Sequence, residues 1–174
     1  MPAQGGIPLN PSEKPEYHRP KPSTRMDILE LSCKSEYALL ALLELAQHYS
    51  DGQVLQIKEI AAHQSIPDRY LEQLLATLRR QGLVRSQRGS KGGYFLARAP
   101  WQISLWDVIQ AIEGEDLTRS RDLPSGDFTP ERAVLLKTWQ EAQAAAVAIL
   151  QKTTLQDLCD RQAQQQQARL MYYI

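Results

Sequence analysis

The sequence predicts a mainly α-helical fold with a small β-hairpin wing: a winged helix-turn-helix domain followed by a long dimerisation helix. Three observations favour this fold class. Apolar residues recur at helical spacing from residue 35 to residue 81, two short apolar segments flank a glycine-rich tip, and a heptad-like pattern follows after residue 129. The 174 residues are 43% hydrophobic, which is enough for a core.

The first 26 residues are predicted to be a disordered extension. Six of the ten prolines lie there, with few large apolar side chains to offset the entropy of ordering. The N-terminus lacks the apolar core of a signal peptide, no apolar run is long enough for a membrane span, and the two cysteines form no CxxC pair. The sequence therefore predicts a cytoplasmic protein with no membrane partner.

Three helices are predicted in the next segment, residues 27–114. The first begins at Ser35 and is apolar on most of its surface, which is typical of a core helix. The second covers 57–63, and the third covers 68–81, with Pro67 in its first turn and Gly82 as its stop. The third helix is predicted to bury four leucines, namely Leu71, Leu74, Leu75 and Leu78.

Two strands, 83–87 and 93–97, are predicted to enclose the tip RGSKGG at residues 88–93. Three helices followed by a hairpin is the order of a winged helix-turn-helix. The short turn before the third helix would hold that helix at the surface, where it can enter a major groove. The residues predicted to bind DNA are Arg69, Tyr70, Glu72, Gln73, Arg79, Arg80, Arg88, Ser90 and Lys91.

Local charge supports this interpretation, although the whole chain has 20 basic and 20 acidic residues. Between residues 69 and 98 there are seven basic residues and a single acid, Glu72, so the local net charge is +6. Clustered cations release condensed counterions when they meet DNA. Two alternatives to DNA binding stay open at this point. The fold also occurs in modules that bind other proteins, and an arginine-rich stretch is often only a solvent-exposed surface without a ligand. No P-loop or nucleophile–base pair indicates an enzyme.

The chain resembles the Rrf2 family of bacterial transcription regulators from Leu31 to Leu117. The matching segments include Ile57-Lys58-Glu59-Ile60-Ala61, Tyr70-Leu71-Glu72-Gln73-Leu74, residues 88–94 and Ile112-Glu113-Gly114. The resemblance implies a homodimer, expected to be a repressor, that binds double-stranded DNA. It implies that the recognition helix, 68–81, lies in the major groove with Glu72 at the bases, and that wing 88–94 contacts the minor groove or the backbone through Arg88.

One family feature is absent. Cluster-binding members carry three cysteines in the loop after the Glu-Gly segment, but the corresponding loop here, 115–128, has none. The sequence therefore predicts no cofactor and no metal, and its signal would be a small-molecule effector, a protein effector, or thiol oxidation at Cys33 or Cys159. The alternatives are an iron–sulfur or thiol redox sensor with unusual ligands, for which Cys33 and Glu36 are weak candidates, and a protein-interaction scaffold. Burial habit favours packing roles for both cysteines.

The last segment, 129–174, is predicted to be a helical dimerisation region. Thr129-Pro130-Glu131 is a helix start, and the helix is expected to run to Lys152. A heptad-like row on this helix predicts the dimer interface, although intramolecular packing would give the same pattern. Its members are Leu135, Trp139, Ala142, Ala146 and Ile149. A further helix is predicted after Thr154, and no role is assigned to the glutamine-rich tail.

Overall fold

The computed structural model describes residues 31–89, 92–114 and 129–171, so the predicted N-terminal extension and the loop at 115–128 lie outside the described residues. The predicted fold class is confirmed, because helices dominate and one hairpin is present. The helices are α1 (Cys33–Gln47), α2 (Ile57–Gln64), α3 (Asp68–Arg80), α4 (Leu105–Glu113), α5 (Pro130–Lys152) and α6 (Leu155–Met171). The strands are β1 (Val84–Gln87) and β2 (Gly93–Leu96), and a 3₁₀ turn covers Pro100–Gln102.

Helix α1 is the central element of the core. It packs against α2, α3, α4, α6 and β2, and its side chains Ala38, Ala41 and Leu42 are fully buried. The helix begins two residues earlier than predicted, because the Ser32 hydroxyl accepts a hydrogen bond from the backbone N–H of Ser35 at 3.1 Å. Helix α3 and strand β2, which carry parts of the predicted DNA-binding surface, are therefore positioned on this helix.

The turn between α2 and α3 is tight. Ser65 adopts a left-handed conformation with φ of 55°, and the N–H of buried Ile66 bonds to the carbonyl of Ala61 at 3.0 Å. Pro67 is the N-cap of α3, one position before the first helical turn in which it was predicted. The four predicted leucines of α3 are all buried in the core, so the opposite face of the helix is left to solvent.

The hairpin is antiparallel, with pairs running from Val84–Leu96 to Gln87–Gly93. Leu55, in the loop before α2, pairs with β2 on the edge opposite β1, because it exchanges two backbone hydrogen bonds with Tyr94 at 2.8 and 3.0 Å. A Cβ atom at Gly93 would collide with the Leu55 carbonyl, so only glycine fits there. The wing is thus attached to the core on both edges of β2.

Helix α6 returns to the winged domain, which the sequence pattern did not indicate. Leu155, its first residue, is 0% exposed, and its N–H bonds to the carbonyl of Ile103 at 3.0 Å. Asp157 closes the helix start by accepting hydrogen bonds from the backbone and hydroxyl of Thr154, both at 2.8 Å. Among the described helices, none is both long and apolar enough to cross a membrane.

Leu155→Ala is expected to lower the free energy of unfolding by about 2–5 kcal/mol, because it leaves a cavity in the core. The matched control, Leu31→Ala, deletes the same atoms from a side chain that is 48% exposed, and should cost less than about 0.5 kcal/mol. Urea unfolding followed by circular dichroism at one protein concentration measures both. Equal costs for the two variants would contradict the packing of α6 on the core.

Candidate nucleic-acid interface

The solvent-facing side of α3 begins with three polar side chains. Arg69, Glu72 and Gln73 are exposed and lie opposite the buried leucines, and we name them the α3 edge. Arg79 and Arg80 are exposed at the other end of the helix. Arg79 lies seven residues after Glu72, so the two side chains project in nearly the same direction two turns apart. The helix therefore exposes polar side chains near both of its ends on this side.

Tyr70 has a different environment from the α3 edge. Its side chain is half-buried, and its ring meets the ring of Tyr37 on α1 edge-to-face, with 5.8 Å between centroids. Burial raises the pKa of Tyr70, and the nearby Cys33 and Glu113 groups raise it further. The ring thus helps to fix the start of α3 against α1, and contact between Tyr70 and DNA stays a prediction.

A buried carboxylate fixes α2 on α1. Glu44 lies on α1, where its Oε1 is 2.8 Å from His63 Nδ1, and its Oε2 accepts a hydrogen bond from Gln64 Nε2 at 2.7 Å. His48 Nε2 is 3.7 Å from the same Oε1. Burial raises the pKa of Glu44, but the hydrogen bonds from His63 and Gln64 and the charge of the histidines outweigh burial and lower it. The carboxylate therefore holds the end of α2, from which the turn leads to α3.

Sequence reasoning missed this network. The available signal was one glutamate among leucines in LLELA, on a helix that was expected to be in the core. A carboxylate in that position requires partners, because an unpaired buried charge is costly.

The wing places Arg88 at the end of β1, where its side chain is exposed. Gly89 follows with φ of 114°, a conformation that L side chains rarely adopt. Ser90 and Lys91, which were predicted to bind DNA, lie outside the described residues. Arg79 Nη1 donates to Ser86 Oγ on β1 at 3.2 Å, so the end of α3 and the wing are directly joined.

The expected packing role for Cys33 is wrong. Cys33 is the first residue of α1 and is exposed, because Ser35 and not Cys33 faces the core in the first turn. Its hydrogen bond with the Tyr37 hydroxyl raises the pKa of Tyr37. The packing role of Cys159 is confirmed, since it is half-buried against the core and burial raises the pKa of its thiol.

The residues present do not fit an iron–sulfur cluster held by cysteine thiolates. The chain has two cysteines, one at the start of α1 and one on α6, and the 115–128 segment contains none. Within the described ranges, no three His, Cys, Asp or Glu side chains are grouped so that they could hold a metal ion. Glu36 is exposed in the first turn of α1. The predicted lack of a cofactor and the thiol-sensor alternative both stay predictions.

Helix α5 exposes the row of residues predicted for dimerisation, here named the α5 stripe (Leu135, Trp139, Ala142, Ala146 and Ile149). Leu135, Trp139 and Ile149 are 68%, 52% and 65% exposed, and no residue of this 23-residue helix is buried. Among the described residues, nothing covers these three side chains. Within the described residues, intramolecular core packing, which the pattern alone left open, therefore does not account for Leu135, Trp139 and Ile149.

Comparison with known proteins places the chain among transcription regulators. Residues 31–161 match the sequence model of the Rrf2 family, described as an iron-dependent transcriptional regulator. The HTH-type transcriptional regulator CymR of Bacillus subtilis is 33% identical over 83% of this chain and 99% of its own length. IscR of Yersinia enterocolitica is 35% identical, covering 77% of this chain and 81% of its own. The solved structure of T. potens IscR has a TM-score of 0.64 at 35% identity, covering 76% of this chain and 88% of that one.

Glu44→Gln is expected to flatten the loss of stability in acid. The pKa of Glu44 is lowered in the folded protein, so its contribution is present above its ordinary pKa of about 4.3 and is lost as the pH falls below that value. Urea unfolding between pH 3 and pH 7 measures the effect. Glu141→Gln, a control at an exposed position of α5, should retain the wild-type pH dependence. If Glu44→Gln also showed the wild-type pH dependence of stability, the Glu44 network would not stabilise the fold.

Proposed function

The chain belongs to the Rrf2 family of DNA-binding transcription regulators, and from this premise we propose that it represses promoters as a homodimer. The observation that carries the proposal is the exposed α3 edge beside a basic wing. In this proposal α3 enters the major groove, and the wing lies on the minor groove or the adjacent backbone. The proposal assigns no catalytic activity, and it places the protein in the cytoplasm with the DNA that it regulates.

The α3 edge has the chemistry needed to recognise bases. The Arg69 guanidinium can donate two hydrogen bonds to guanine, the Gln73 amide can pair with adenine, and the Glu72 carboxylate can accept from a cytosine amino group. All three are exposed near the start of α3, the end of a recognition helix that approaches base edges. We therefore assign sequence recognition to these residues.

The basic side chains beyond the α3 edge suit the DNA backbone. Arg79 and Arg80 follow along α3, and Arg88 leads into the glycine-rich tip. With Ser90 and Lys91 they form the wing side of the proposed interface. Arginine also favours the negative potential of a narrow minor groove, which supports a minor-groove position for Arg88.

A second copy of this chain is the proposed occupant of the α5 stripe. Three large apolar side chains along a helix of 23 residues, about 34 Å at 1.5 Å per residue, form a surface that water solvates poorly. Ala142 and Ala146 are small enough to let a second helix approach closely. A twofold dimer also supplies two recognition helices, which a partly palindromic site requires.

We infer that a small-molecule or protein effector controls the dimer. The support is the absence of cysteine from the 115–128 loop, where cluster-binding relatives of this family carry three. The chain would then be regulated by binding of that effector and not by an iron–sulfur cluster in this loop.

Selection from a randomised DNA pool is expected to yield a partly palindromic site. Glu72→Ala should relax the preference at one base pair of each half-site, at a cost of about 1–3 kcal/mol, because the group that accepts from the base is lost. Arg88→Ala should weaken binding to all sequences and reduce the slope of log affinity against log salt by about 1. Fluorescence anisotropy over a range of salt concentrations measures both.

The matched control is Arg169→Ala, which removes an exposed arginine from the far end of α6. It should leave both affinity and salt slope unchanged. Selection of no sequence, together with wild-type salt behaviour in Arg88→Ala, would favour the protein-interaction scaffold. Transcription in vitro from a promoter with the selected site should fall when the protein is added, and a rise would show an activator.

Leu135→Asp combined with Ile149→Asp is expected to give a monomer, because two charges would be buried at the α5 stripe. The wild type should have twice the chain mass of 19.7 kDa in sedimentation equilibrium. Lys137→Ala lies on the opposite side of α5 from the stripe, at an exposed position, and should remain dimeric. A dimer that survives the double substitution would exclude the α5 stripe as the interface.

A further inference from the structure

A surface hollow lies between the end of α3 and the base of the hairpin. Its volume is about 490 Å³, and three of the side chains that line it are arginines: Arg79 from α3, Arg85 from β1 and Arg98 from the segment after β2. Ser86 and Phe95 also line it. We name it the arginine hollow. Arg85 and Arg98 are not among the residues predicted to bind DNA.

Within the described residues, the three arginines of the hollow have no carboxylate partner. In the parts of the chain that the structure describes, no carboxylate oxygen lies within 4.0 Å of a guanidinium nitrogen of Arg79, Arg85 or Arg98. Three cations around one depression repel each other, and an anion between them would relieve that repulsion. The arrangement therefore favours a negatively charged ligand.

The walls of the arginine hollow are held by the sheet. Val84 and Leu96 pair across the hairpin and are buried, and the N–H of Ala97 bonds to the carbonyl of Leu83 at 3.0 Å. Arg85 is paired in register with Phe95 on the other strand. The backbone positions that carry Arg85 and Arg98 are thus fixed, so the ligand would meet a site that already exists.

The donor chemistry fits phosphate. A guanidinium presents parallel N–H donors that match two oxygens of a phosphate group. The hydrogen bond from Arg79 to Ser86 Oγ, at 3.2 Å, orients one guanidinium at the edge of the arginine hollow, and the Ser86 hydroxyl can donate its own proton to the ligand.

We propose that the arginine hollow is a phosphate-binding site. One source of the phosphate is the DNA backbone: Arg79 follows Glu72 on the same side of α3, so a strand passing from the α3 edge to the wing would cross the hollow. The other source is a free phosphate ester or pyrophosphate, which would compete with DNA for the same arginines. The DNA source rests on the proposed function, whereas the free-phosphate source does not.

The test uses Arg85→Gln and Arg98→Gln in the full chain, with Arg169→Gln as the matched control for loss of one exposed positive charge. The first measurement is DNA affinity over a range of salt concentrations. Each hollow variant should reduce the salt slope by about 0.9, the value expected for one lost phosphate contact, and the control should not. The second is a thermal unfolding titration with sodium pyrophosphate at constant ionic strength and without DNA. Pyrophosphate should raise the wild-type Tm, and less so in both hollow variants.

Each outcome decides between the sources or overturns the proposal. A reduced slope alone assigns the DNA backbone, a pyrophosphate effect alone assigns a free phosphate, and both together assign competition. If neither measurement separates the hollow variants from Arg169→Gln, the proposal is wrong. Should the wild type bind no DNA, the proposed function fails while the pyrophosphate titration still decides. Arg98→Lys excludes misfolding as the cause: it keeps the charge, so it should retain the salt slope but weaken pyrophosphate binding.

Discussion

The structure depends on the burial of α1 by nearly every other element. Helices α2, α3, α4 and α6 and strand β2 all contact it, and its small buried residues, Ala38 and Ala41, allow close approach. Surfaces of helices and strands that share one central element cannot be shifted independently, because protein cores are close-packed. The position of α3, and so of the α3 edge, is set by apolar packing that has no direct part in recognition.

The second constraint is the coupling of α3 to the wing. Ser86 accepts a hydrogen bond from Arg79, and Leu55 fixes β2 to the segment before α2, so the two proposed DNA-contacting parts share rigid connections. A regulator that contacts a groove with a helix and the neighbouring backbone with a hairpin needs a fixed distance between them. Arg79 and Ser86 also line the arginine hollow, so an anion bound there would touch both α3 and the wing.

The sequence predicts those features of the fold that depend on spacing along the chain. The leucines of α3, the glycine-rich hairpin and the start of α5 at Thr129 follow from local periodicity and capping chemistry. It does not predict contacts between distant residues. Leu155 is buried in the core and its N–H bonds to the carbonyl of Ile103, far away along the chain, and the Glu44 network joins side chains about twenty residues apart. The start of α1 at Cys33 is set by a cap at Ser32, and periodicity does not resolve this difference of two residues from the predicted start.

Local charge is the sequence property from which the proposed DNA-binding residues are predicted. A chain of zero net charge with +6 in residues 69–98 must carry −6 in the rest, where 13 basic residues face 19 acids. The local excess of positive charge favours attraction of residues 69–98 to a polyanion. Counting charges along the sequence does not show which arginines belong to the α3 edge and which line the arginine hollow. That assignment depends on which residues the hairpin brings beside α3.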